Sequence, residues 1–129
     1  MRDRAHDRCE YCRHLAAYAC APFVCEHVRP LVRGSGDTFS ELAWACPACN
    51  SHKYDKTQAR DPQTGRIVPI FNPRRQNWSR HFSWSDDFLL IRGQTAIGRA
   101  TVDCLYLNRL EVVNLRRVLQ ACGEHPPME

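Results

Sequence analysis

At 129 residues, 43% of them hydrophobic and 25% charged, the chain has the size and composition of a single compact globular domain. No apolar run approaches the ~18 residues that a membrane span needs, and the charged stretch from Met1 to Arg8 leads to no apolar segment, so neither a membrane partner nor a secretory signal is expected. The formal charge of +4 is carried by 16 Arg against 2 Lys, and guanidinium forks match phosphate bidentately, which suits a nucleic-acid partner. A cytoplasmic location is expected, where thiols stay reduced, so the eight cysteines call for an explanation other than disulfides.

Taken in chain order, 21–28 reads as a short strand with Pro22 at its edge and Pro30 as its stop. Arg33-Gly34-Ser35-Gly36-Asp37 is a turn, and Leu42-Ala43-Trp44-Ala45 returns as a second strand. Pro47 permits a tight knuckle, after which a helix is expected from about Asn50 to Ala59. The polar stretch 55–62 divides the chain. Beyond it come an extended segment at 67–71, an aromatic-rich stretch from Trp78 to Trp84 and a strand at 88–91. Thr95 is placed to cap a helix over 96–107, with Ile97, Cys104 and Leu105 on one face. Asn108 and Glu111 form a capping-box pattern for a second helix, whose stripe is Val112, Leu115, Leu119 and Cys122 and whose end is Gly123. The expected fold class is α+β: a ββα unit with a zinc knuckle, then short strands and a C-terminal helical pair. The expected organisation is one domain over 1–129, with the ββα core at 9–60 and an extension at 61–129 packed on it.

The chemistry-bearing pattern is a pair of CxxC steps, Cys9-x-x-Cys12 and Cys46-x-x-Cys49. Each step presents two thiolates, and two steps complete a zinc tetrahedron with no open position, the signature of a structural site. The competing readings are four unrelated buried cysteines and a redox CxxC, which would want a βαβ context. Cys20 and Cys25 lie between the two steps and are alternative ligands; Cys104 and Cys122 read as small buried hydrophobes. The gap of 33 residues between the steps exceeds what a zinc ribbon needs, so it carries an insertion.

With this insertion the chain resembles the zinc-bound branch of the HNH endonuclease family. The residues that carry the resemblance are Cys9-x-x-Cys12, Glu26-His27-x-x-Pro30, Gly34-Ser35-Gly36 and Cys46-x-x-Cys49-Asn50-x-x-Lys53. A looser similarity to short bacterial HNH proteins runs through 71–75, 78–84, 95–108 and 125–127. The resemblance implies metal-dependent hydrolysis of phosphodiester bonds, in DNA or alternatively RNA. It implies His27 as the base that activates water, and Glu26 with Asn50 as oxygen ligands of Mg²⁺ or Mn²⁺. The family's acidic residue is usually Asp, and its middle Asn precedes Leu; here Glu26 and Glu41 stand at those places, and Glu41 joins the candidate site. Adjacent strand residues point to opposite faces, so Glu26 and His27 share a site only where the strand twists or bulges.

Lys53, three residues after Asn50 on the expected helix, is a candidate phosphate contact or else a solvated lysine. His52 points elsewhere. Arg74 and Arg75, ahead of the aromatic stretch, are candidate nucleic-acid contacts, whereas Phe82 and Trp84 read as core. The alternative to an enzyme is a zinc-containing nucleic-acid-binding or assembly module on the same scaffold. The oligomeric state is left open.

Overall fold

The structure is a computed structural model that describes residues 4–28 and 41–127. The Pro30 stop and the Gly34–Gly36 turn lie outside the described residues. The chain opens with a tight hairpin around the first CxxC step. Cys9 N–H donates to the His14 carbonyl (2.9 Å), Arg13 N–H donates to the Cys9 carbonyl (3.0 Å), and Arg8 pairs with Leu15. Arg13 takes a left-handed φ of 64° to close it.

Strand β1 (Val24–His27) pairs antiparallel with β2 (Leu42–Ala45), with Glu26 opposite Ala43 and His27 opposite Leu42. Alternation decides which side chains enter the core: Glu26, Ala43 and Ala45 are buried, while Cys25 is exposed and His27 half-buried. The first knuckle adds to the free side of β2, where Glu10 N–H donates to the Trp44 carbonyl and Trp44 N–H donates to Glu10 Oε2.

Helix α1 (Pro47–Lys53) begins three residues earlier than expected. Pro47 sits at its first turn, where no N–H is needed, and the Cys46 sulfur caps it by accepting from Cys49 N–H. Proline therefore starts the helix instead of delaying it. Tyr54, at a φ of 50°, ends it well short of Ala59. The residues expected to continue the helix instead form β3 (Gln58–Arg60), which pairs with β4 (Ile67–Pro69).

Helix α2 (Trp78–His81) leads into β5 (Phe82–Trp84), paired with β6 (Ile91–Gly93). The strand expected at 88–91 begins only at Ile91. Asp87 and Ser85 tie off the preceding turn, and Phe88 adopts a φ of 62° within it. Helix α3 (Ala96–Leu105) is capped by Thr95, which accepts from Gly98 N–H. Gly98 allows a close approach, since a Cβ there would lie 2.0 Å from the His81 carbonyl oxygen.

Helix α4 (Leu110–Ala121) does not use the expected capping box. Its cap residue is Arg109, while the Asn108 amide instead pairs with both backbone groups of Ile91. Its inward stripe is Val112, Arg116 and Leu119, and Cys122 is exposed rather than buried. One hydrophobic cluster joins the four cysteines of the CxxC steps to Tyr11, Phe71, Phe82, Ile91, Leu105 and Leu107. Among the described residues, no helix is long and apolar enough to cross a membrane.

Candidate functional site

The two CxxC steps meet. The Sγ atoms of Cys9, Cys12, Cys46 and Cys49 all lie within 4.8 Å of one another, and the four residues are 0–2% exposed. Cys12 and Cys46 sulfurs are 3.7 Å apart. That is the edge of a thiolate tetrahedron around zinc, about 3.8 Å for Zn–S bonds of about 2.3 Å. The residues therefore fit a closed, structural zinc site. Cys20 and Cys25 are exposed and stand outside the cluster.

A cation covers this cluster. Arg109 directs Nη1 at Cys49 Sγ (3.7 Å) and Nη2 at Cys12 and Cys46 Sγ (3.6 and 3.3 Å). Burial alone would lower its pKa; the charges of Cys12, Cys49 and Cys46 outweigh burial and raise it. Arg116 lies behind it, donating to the Cys12 and Leu107 carbonyls. No motif in the sequence marks either arginine, because both contacts close over long stretches of chain.

The two middle residues of the first CxxC step link this centre to the strands. Glu10 holds Trp44 N–H and an ion pair with Arg74. Tyr11, fully buried, donates its hydroxyl to Glu26 Oε2 at 2.8 Å. The other oxygen, Glu26 Oε1, holds Lys53 Nζ at 2.5 Å, with both side chains 3% exposed or less. Lys53 also donates to the His27 and Val28 carbonyls (3.2 and 2.9 Å), so its three donors are matched by three acceptors. Burial pushes the Glu26 carboxyl above its ordinary pKa, opposed first by Lys53 and then by Tyr11.

These contacts revise one expectation. Lys53 is neither a solvated lysine nor turned outward toward a phosphate; it is a buried ion-pair partner 1% exposed. Glu26 and His27 lie on opposite sides of β1, as alternation dictates, with Glu26 inward and His27 half-buried. Asn50 is half-buried in the middle of α1, one turn before Lys53. Its backbone N–H bonds to the Cys46 carbonyl, which ties its position to the second knuckle. Glu41 accepts Val28 N–H on its carbonyl and lines a neighbouring cleft. His52 packs on the Tyr106 ring at 4.8 Å.

That cleft, of about 620 Å³, is lined by Arg4, Arg13, Arg74 and Arg75 together with Glu10, Glu41 and the Trp78 ring. A second, of about 470 Å³, runs past Val28, Lys53 and Asn72, and Arg75 and Gln76 line both. The two adjacent arginines differ in what they offer a ligand. Arg74 is held by Glu10, with 9% of its side chain exposed, whereas Arg75 is exposed where the clefts meet. Phe82 is core, as expected, and Trp84 is half-buried against Trp78 and His125. Among the described residues, the four cysteines are the only group of three or more His, Cys, Asp or Glu side chains close enough to share an ion.

Residues 9–56 match the family described as HNH endonuclease. Comparison with curated proteins and with solved structures gives no match. The match spans both CxxC steps, β1, β2 and α1, the same segment that the cysteine cluster holds together. The HNH endonuclease match is thus confined to residues 9–56, which form a ββα unit whose four clustered cysteines are arranged as a zinc site requires.

Proposed function

We propose that the protein is a metal-dependent HNH endonuclease that hydrolyses phosphodiester bonds, with DNA as the substrate and RNA as the other candidate polymer. His27 takes the proton from the attacking water, which a neutral imidazole does near pH 7. Glu26 and Asn50 would hold Mg²⁺ or Mn²⁺ through oxygen, a donor set that suits a hard cation. An ion held there would supply positive charge to the scissile phosphate and the leaving oxygen. The observation that carries this reading is the HNH endonuclease match over residues 9–56, the segment that holds Glu26, His27 and Asn50. Within that segment the Lys53–Glu26 contact joins α1, the helix that carries Asn50, to β1. Glu26 already accepts a positive charge at Oε1, that of Lys53. Ion binding on Glu26 therefore requires Lys53 to share or leave that oxygen. Arg75 supplies phosphate contacts along the clefts that meet beside this strand end.

A second reading has its own observation. Glu26, Tyr11 and Lys53 satisfy one another in the core, as a purely structural ion pair would. On this reading the protein is a nucleic-acid-binding or assembly module with no hydrolytic activity. Plasmid nicking with Mg²⁺ or Mn²⁺, comparing wild type with His27→Ala, separates the two. Metal-dependent nicking that disappears in His27→Ala is expected; equal cleavage by both proteins would sink His27 as the base. Titration of Mn²⁺ into the zinc-loaded protein is expected to reveal a second site, lost in Glu26→Ala and Asn50→Ala. No second site together with no nicking establishes the module.

A further inference from the structure

We infer that Arg109 is an outer-sphere partner of the zinc site, neutralising its charge, and that through this contact zinc retention and the docking of α4 are coupled. The inference rests on the zinc knuckle and is independent of the nuclease reading.

Four thiolates around Zn²⁺ carry a formal charge of −2. The cysteines that would hold this charge are 0–2% exposed, and a buried charge without compensation is costly. The structure supplies the compensation from the far end of the chain. One guanidinium reaches three of the four sulfurs at 3.3–3.7 Å. Its planar fork is what allows this spread; a lysine ammonium offers one point charge. The Arg109 side chain is only 9% exposed, and its carboxylate contact, Glu111 at 3.5 Å, is 75% exposed and therefore screened. The charge that holds Arg109 in the interior is thus that of the sulfurs. Arg116 brings a second cation nearby, on the Cys12 and Leu107 carbonyls and not on the sulfurs, which leaves the sulfur contacts to Arg109.

Arg109 is also the residue on which α4 begins. Whatever strengthens its contact with the sulfurs strengthens the seating of the helix, and linkage makes the effect mutual. Substituting outer-shell partners of metal ligands typically costs about 10- to 100-fold in metal affinity.

The test uses the full chain as wild type, Arg109→Lys and Arg109→Gln. Zinc release to a chelator is followed with a chromophoric indicator. The same three proteins are loaded with Co²⁺, and the sulfur-to-cobalt charge-transfer band is recorded. Arg109→Gln is expected to release zinc about 10- to 100-fold faster, with Arg109→Lys between it and wild type. Both variants are expected to keep tetrahedral cobalt spectra with a shifted charge-transfer band, because the N–H contacts on sulfur are lost. Release at the wild-type rate overturns the inference. Faster release with an unshifted band also overturns it, since a packing defect alone leaves the sulfur donors unchanged. A wild-type protein that binds neither zinc nor cobalt overturns the zinc knuckle itself, whatever the nicking assay shows.

Discussion

At the scale of single residues, two carboxylates carry opposite lessons. Glu26 is buried beside Lys53 and Tyr11, and its burial raises its pKa despite both partners. Removing one member of a buried pair leaves the other charge unmatched, which costs about 3–5 kcal/mol. Glu26→Gln and Lys53→Met are each expected to lose stability of that order in urea unfolding of the zinc-loaded protein. The double substitution Glu26→Gln/Lys53→Met is expected to lose less than the two single effects combined. Additive losses would show that the two side chains do not depend on each other. Asp61 behaves the other way. Arg99 grips it through Nε and Nη2 (3.0 and 2.9 Å), and this hydrogen bonding, with help from Gln63 N–H and Thr64, holds its pKa well below the usual carboxylate range. A depressed folded-state pKa contributes stability that is complete above the unfolded value of about 3.9 and disappears as pH falls toward the folded value. The stability gap between wild type and Asp61→Asn should therefore be constant near neutrality and close below about pH 4. A gap that persists unchanged into acid would assign the effect of Asp61 to its turn geometry.

At the scale of elements, the short helices and hairpins are held by a few close contacts instead of by length. Helix α3 starts against the α2–β5 junction, and Gly98 makes the approach possible. Alanine is worth up to about 1 kcal/mol over glycine in a free helix. Here the added Cβ would meet backbone 2.0 Å away, so the sign reverses. Gly98→Ala is expected to destabilise the protein by about 1–3 kcal/mol, read as a lower urea midpoint; an unchanged or raised midpoint would contradict this packing. Local chemistry made several elements legible in the sequence. The alternation around Glu26, the Leu42–Ala45 strand and the Thr95 cap are where the residues predict them. The errors fell where one residue has two roles. Pro47 opens α1, although a proline also separates elements. Asn108 spends its amide on Ile91 of β6, two elements back along the chain, and Arg109 begins α4 without it.

At the scale of the whole molecule, all three thirds of the chain share one core through the cysteine cluster, Tyr11, Phe71 and Leu107. Basic groups gather where two clefts meet, and the pairing of each arginine decides what it can contribute. Arg74 is committed to Glu10, whereas Arg75 is exposed. Nucleic-acid affinity measured against salt should separate them. Arg75→Ala is expected to lower the salt slope by about one counterion. Arg74→Ala, in contrast, is expected to lower the urea midpoint by leaving Glu10 unpaired. A salt slope untouched by Arg75→Ala would remove this residue from the binding surface.

The amino-acid order alone pointed to a four-cysteine metal site. Two CxxC steps name their ligands because each pair is local, and a tetrahedron of thiolates has few other uses for such spacing. The resemblance to HNH endonucleases, and not spacing, is what marks Glu26, His27 and Asn50 as a constellation in the sequence. What only tertiary structure decided was how the remaining charges are matched. Lys53 turned inward to Glu26, Arg74 went to Glu10 and Arg109 went to the sulfurs. A charge buried on folding must find its partner in space, and these partners lie 27, 64 and 63 residues apart along the chain. Periodicity and motif spacing report on neighbours within a turn or a strand, and electrostatic pairing over such separations leaves no trace in either.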